Sequence, residues 1–227
     1  KTSVDVLYFG DCARAPYGNR SIDEISLFIR EIILSLQGQE VTHFVSACNS
    51  MSVMTTNKLL ESCGVDKEKY VDMLRAFKDY SNFPNNAHVL VIGTQVTIQS
   101  GAYQEVLIER NIDTHEYIFK TLAGLIEKGV SVQELEEIVT VGMEHAKEIG
   151  ATHIVYGCTH YPLIDDVFRR CSERVNWGGE FVDPALYVAE VVAKWNLRGE
   201  KNTFFEASEV TPAFSLLSTK YSSNEIE

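Results

Sequence analysis

Residues 42–50 read THFVSACNS, and residues 152–160 read THIVYGCTH. Both run Thr-His-x-Val-x-x-Cys and close on a polar residue. The offset is 110 from Thr42 to Thr152 and again 110 from Cys48 to Cys158. The same offset carries Ser21 onto Ser131 and Glu24 onto Glu134, so six identities stand in register across residues 21–48. Ser followed three residues later by Glu is a capping box, in which each side chain bonds an otherwise unpaired backbone N–H at a helix start. Cap, helix, strand and cysteine therefore repeat without a gap. The simplest reading is two copies of one helix–strand unit, each placing a cysteine at the carboxyl edge of a strand. That edge is where open α/β sheets bind ligands.

Outward from the repeat the chain alternates. VDVLYFG (4–10) reads as a strand, and Ile25, Phe28, Ile29, Ile32, Ile33 and Leu36 give the apolar face of a helix after Ser21. Residues 42–47 read as the next strand and 51–62 as one helix, stopped by Gly64. HVLVIGT (88–94) is almost wholly apolar, as in a strand buried on both faces of a parallel sheet. A helix over 98–109, a short strand near 116–119 and a short helix ending at 127–129 are expected next. After them come a helix from Ser131 to about 148, a strand HIVYGCT, a helix over 162–175, a strand EFVDP and a helix over 185–195. TFFEAS reads as a last strand, with a short helix near 213–217. The alternation predicts an α/β fold with parallel sheets and right-handed crossovers.

The copies differ at one place. The second is preceded by HVLVIGTQVTIQSGAYQEVL (88–107), whose counterpart at the 110 offset would lie upstream of Lys1. The repeat thus leads us to expect one more strand and helix in the complete protein.

Composition narrows the function. The chain has 227 residues, 45% hydrophobic, with a formal net charge of −12 and no basic cluster, so nucleic acid and anionic membranes are poor partners. No apolar run approaches the roughly 20 residues of a membrane span, and no signal peptide is visible. Five sparse cysteines without C-x-x-C suggest free thiols in a reducing cytosol. Phosphate-loop and G-x-G-x-x-G motifs are lacking, as are the serine-hydrolase elbow and H-E-x-x-H, so neither a nucleotide cofactor nor a metal is implied.

An ordinary thiol near pKa 8.5 is only about 3% ionised at pH 7. At a helix start the dipole and free N–H groups favour the thiolate, which predicts a lowered pKa at Cys48 and Cys158. If the two copies face each other, the thiols flank one cleft. A base and an acid on opposite faces of one carbon then suit stereochemical inversion. A Cys–His nucleophile is the other reading, since His160 follows Cys158 by two residues. Cys12, Cys63 and Cys171 read as small buried hydrophobes, and His43 and His153 as structural.

The stretches FGDCARAPYGNRS (9–21), ACNSMSV (47–53), GTQVTIQSGAY (93–103) and GCTHYPLI (157–164), and more loosely FVDPA (181–185), resemble the cofactor-independent aspartate/glutamate racemase family. The resemblance runs across essentially the whole chain. It implies two pseudo-symmetric α/β lobes with parallel-rich sheets, flanking helices and an active site between them. It also implies interconversion of L- and D-glutamate for peptidoglycan in the cytoplasm, without cofactor, by an enzyme that forms a homodimer. By motif position Cys48 and Cys158 are the acid–base pair, His160 assists Cys158, and Glu127 is the acidic assistant. Tyr17, Gly18, Asn49, Ser50, Thr94, Thr97 and Thr159 line the substrate. The lobes expected are 1–80 plus 184–227, and 81–183. Members open with a strand ending in Asp-Ser-Gly that this sequence does not contain, and Ser50 replaces the usual Thr. A racemase for aspartate or another amino acid, or a non-catalytic amino-acid-binding protein on the same fold, are the alternatives.

Overall fold

A computed structural model describes residues 4–200, 202–211 and 214–215. Among the described residues eight strands form three sheets, and every pairing is parallel. β1 (Val6–Gly10) pairs with β8 (Thr203–Ala207), and β2 (Phe44–Ser46) with β3 (Tyr70–Asp72). The third sheet runs β5 (Asp113–Ile118), β4 (His88–Gly93), β6 (His153–Gly157), β7 (Glu180–Val182). Val89, Leu90, Val91 and Ile92 of β4 are buried on both faces, as the apolar run HVLVIG requires.

The repeat is present in three dimensions. α1 (Ile22–Gln37) and α8 (Val132–Glu148) each begin in a complete capping box, at Ser21 with Glu24 and at Ser131 with Glu134. Thr42 Oγ1 lies 3.0 Å from His43 Nδ1, and Thr152 Oγ1 lies 2.8 Å from His153 Nδ1. The offset of 110 also relates β3 to β7. The copies differ in their sheets. In the second, β5 and β6 both pair with β4. Their counterparts in the first are β1 and β2, and among the described residues no strand lies between these two.

Several elements differ from expectation. The helix over 51–62 is two, α2 (Asn49–Ser52) and α3 (Asn57–Ser62), because the Thr56 hydroxyl accepts from Leu59 N–H and starts a new helix. The helix over 98–109 is likewise α5 (Gln95–Gln99) and α6 (Ala102–Ile108). Gly101 separates them in a left-handed conformation, φ +67°. β3 and the following α4 (Met73–Tyr80) were not anticipated; three strand residues set among charges carry no period to read. The helix over 162–175 opens as a 3₁₀ turn, Tyr161–Ile164, before α9 (Asp165–Val175). α7 (Leu122–Lys128) and α10 (Pro184–Lys194) stand close to their expected places. Of the helix near 213–217 only 214–215 are described, and they are helical; the rest lies outside the described residues. No described helix is long and apolar enough to cross a membrane.

Among the described residues the core falls into four clusters, two of which are central to the repeat. Leu90, Ile92, Leu122, Val139, Met143, Ile154, Tyr156 and Phe168 pack one face of the β4 sheet under α7, α8 and α9. Ile25, Ile29, Ile33, Phe44, Leu60 and Tyr70 pack α1 against β2 and β3. α10 returns to lie on α4 and β3, so the chain's last described helix rejoins its first third.

Candidate active site

Each repeat cysteine stands where its strand gives way to a turn. Cys48 is the residue before α2, and Cys158 follows Gly157 at the end of β6. Cys48 is partly exposed, and Cys158 is buried. Burial pushes the Cys48 thiol up to about 11, against the pull of the Met51 and Ser50 backbone N–H groups; the Cys158 sulfur raises it further. This reverses the direction expected from the helix start. A four-residue helix supplies only those two N–H groups, and desolvation of a thiolate outweighs them. Cys158, from the opposite copy of the repeat, is thus among the groups that raise Cys48.

Around Cys158 a relay runs outward. His160 Nδ1 lies 3.8 Å from Cys158 Sγ, and His160 Nε2 lies 2.8 Å from Glu127 Oε1. Burial alone would drive the imidazole toward its neutral form. Its bonds to Cys158 and Glu127 outweigh that and raise it to about 10. Glu127, at the end of α7, is held below the usual carboxylate range chiefly by the His160 hydrogen bond, with burial opposing. The result is an imidazolium–carboxylate pair beside Cys158; among the described residues no such pair accompanies Cys48.

The other expected residues gather along the seam between the copies. Ser50 Oγ is 3.0 Å from Thr94 Oγ1, which is 3.1 Å from Thr97 Oγ1. Thr94 also caps α5 through Thr97 N–H, so its role as a helix cap and its contact with Ser50 coexist. The turn Tyr17–Asn19 lies against α5. At Gly18 a Cβ would stand 2.9 Å from Thr94 Cβ, so only glycine allows this approach. Tyr17 is buried, and its hydroxyl donates to Asp11, whose Oδ2 also accepts from Arg14 Nε at 2.6 Å. Thr159, partly exposed, stands between Cys158 and His160. Asn49 is 3% exposed and accepts a hydrogen bond at Oδ1 from the Tyr103 hydroxyl at 2.5 Å.

Two residues near this seam escaped the sequence reading. Tyr8 of β1 feels Cys12, Cys48 and Glu127 together, after burial, as influences raising its phenol. Tyr103 of α6 feels burial first, then Asp72, Asp183 and Cys158. Tyr103 closes the matched stretch GTQVTIQSGAY, and a fully buried tyrosine needs a hydrogen-bond partner; that need was the available signal.

No protein-family model matches the chain. Glutamate racemase of Carboxydothermus hydrogenoformans is 34% identical over 188 residues, covering 82% of this chain and 68% of that protein. Glutamate racemase 3 of Caldanaerobacter subterraneus subsp. tengcongensis is 30% identical over 219 residues, covering 92% and 78%. Among solved structures, glutamate racemase of Francisella tularensis in complex with D-glutamate superposes with a TM-score of 0.82 at 24% identity, covering 99% of this chain and 86% of that one. That superposition speaks for the fold alone. The sequence identity reaches further: a third of the aligned positions, over more than two thirds of a curated relative, put this chain in the glutamate racemase family.

Proposed function

We propose that the chain interconverts L-glutamate and D-glutamate by a two-thiol acid–base mechanism without cofactor. In a bacterium this supplies D-glutamate for peptidoglycan in the cytoplasm. The observation that carries the reading is that both repeat cysteines stand at the ends of their strands, with His160 Nδ1 3.8 Å from Cys158 Sγ and His160 Nε2 2.8 Å from Glu127 Oε1. The substrate α-carbon sits between the sulfurs. Cys48, held as a thiol up to about 11, is the donor in the resting enzyme. Cys158 takes the α-proton, with the His160 imidazolium beside it. For the opposite enantiomer the two sulfurs exchange roles. Ser50, Asn49, Thr94, Thr97 and Thr159 offer hydroxyl and amide groups to the carboxylates and the ammonium, with Tyr17 and Gly18 closing the seam.

The same reading divides the chain into lobes of 1–80 plus 184–227, and 81–183. The packing of α10 on α4 and the β1–β8 pairing favour this division. A homodimer belongs to the reading through the resemblance.

The test is Cys48→Ala and Cys158→Ala, assayed by circular dichroism of glutamate in deuterated water. Each variant loses on the order of 10²–10⁴-fold in rate, the size of a general acid–base contribution. Each also keeps the far-UV spectrum and melting temperature of the parent. The parent places deuterium at the α-position of the inverted product. Racemisation at the parental rate by either variant sinks the mechanism, and a parent that inverts aspartate in preference to glutamate sinks the substrate assignment.

A further inference from the structure

Asn49 presents an unusual balance. Its side chain is 3% exposed, its Oδ1 takes the Tyr103 hydroxyl at 2.5 Å, and its Nδ2 has no hydrogen-bond partner among the described residues. A buried amide N–H₂ left without a partner is costly, so a position that keeps one is built for an acceptor that arrives later. The residue stands directly after Cys48 and directly before Ser50, whose hydroxyl reaches Thr94. The acceptor therefore belongs in the cleft between the thiols.

Tyr103 is 1% exposed and cannot move freely. Its ring centroid lies 4.9 Å from that of Phe77, inside the core that packs β4 and α6. Burial first, and then Asp72, Asp183 and Cys158, disfavour ionisation of its phenol, so the hydroxyl keeps its proton. That hydroxyl donates to Asn49 Oδ1, so the amide carbonyl faces α6 and Nδ2 is left without a partner among the described residues. The bond spans the two copies of the repeat, 54 residues apart in sequence. Separation of the lobes would break it and free the amide to rotate.

We propose that Tyr103 is a positioning residue. By holding Asn49 Oδ1 from the opposite lobe, it aims Asn49 Nδ2 at a substrate carboxylate. This rests on the racemase reading above and adds a residue to it. Tyr103 touches neither substrate nor reacting atoms; it acts through Asn49.

Tyr103→Phe removes one oxygen and leaves the packed ring in place. KM should rise about tenfold for both enantiomers, the loss of one hydrogen bond to a charged group, while kcat stays within about threefold. Asn49→Ala should raise KM at least as much, and the double variant should be no worse than Asn49→Ala alone. An unchanged KM in Tyr103→Phe overturns the proposal. So does a fall in kcat at constant KM, or a double variant whose losses multiply. A second readout needs no turnover. In the ligand-free protein the side-chain amide resonances of Asn49, assigned by their loss in Asn49→Ala, should shift in Tyr103→Phe. If they do not shift, Tyr103 does not hold the amide, whatever the enzyme's substrate. A parent that fails to racemise glutamate removes the functional reading, and the resonances then decide the positioning alone.

Discussion

At the scale of single residues, the repeat made two cysteines legible and left their protonation unreadable. The helix-start reading expected thiols below their ordinary value, whereas Cys48 is raised to about 11. Burial decided the sign, and burial is not written in nine residues of sequence. His160 was legible from its spacing to Cys158, but Glu127 stands 33 residues away and was reached only through resemblance. Their partnership has a pH consequence. His160 is raised to about 10, and one of the causes is its bond to Glu127. The imidazolium, and what it does for Cys158, persists below that value and is lost as pH rises through it, before the Cys48 thiol is lost near 11. The rate kcat/KM should therefore fall on the alkaline side near pH 10. Glu127→Gln removes one raising influence, so His160 loses its proton at lower pH and the alkaline fall moves with it. A Glu127→Gln profile that superposes on the parent above neutrality would show that the relay has no part in catalysis. The stabilising effect of this pair follows the same sign. It is complete below the ordinary imidazole value near 6.5 and is lost as pH climbs toward 10.

At the scale of elements, what had a strong period or a cap was read well, and what broke a period was not. α1 and α8 were legible because Ser-x-x-Glu precedes a long apolar face in both. The interruptions in the helices after Cys48 and after Thr94 were not legible. A glycine or threonine inside a helical pattern is usually tolerated, and here tertiary contacts exploit it instead. Thr55 donates to Met51 O and accepts from the Tyr70 hydroxyl, which ties the break between α2 and α3 to β3. That break frees α2 to be four residues long and to turn Asn49 and Ser50 into the seam. The caps supply a quantitative check. Ser21→Ala and Ser131→Ala should each cost about 1 kcal/mol. In a chain of this size that is roughly 2–4 °C in melting temperature. Because the two boxes have the same hydrogen bonds, the two losses should agree within experimental error. A neutral Ser131→Ala beside a costly Ser21→Ala would mean that the repeat is one of sequence and not of energetics.

At the scale of the whole molecule, the two copies are built alike and supported unequally. β4 is flanked on both sides, and its side chains from Val89 to Ile92 are 1% exposed or less. The counterpart position in the first copy has no strand among the described residues. Among the described residues the first copy has two ribbons, β1–β8 and β2–β3, with Val6, Tyr8 and Val45 exposed. Two-stranded ribbons are weak on their own, and their amides exchange through small local openings rather than global unfolding. Hydrogen exchange should therefore rank the lobes. Peptides over 88–93 and 153–157 should exchange at the free energy of global unfolding, and peptides over 6–10 and 44–46 well below it. Saturating D-glutamate should raise protection on both sides of the seam together, at 47–53 and at 94–97, because one ligand bridging the lobes restrains both. Equal protection of β1 and β4 would mean that the first lobe draws its stability from packing rather than from its sheet. Protection confined to one side of the seam would remove the shared site on which the two-thiol mechanism depends.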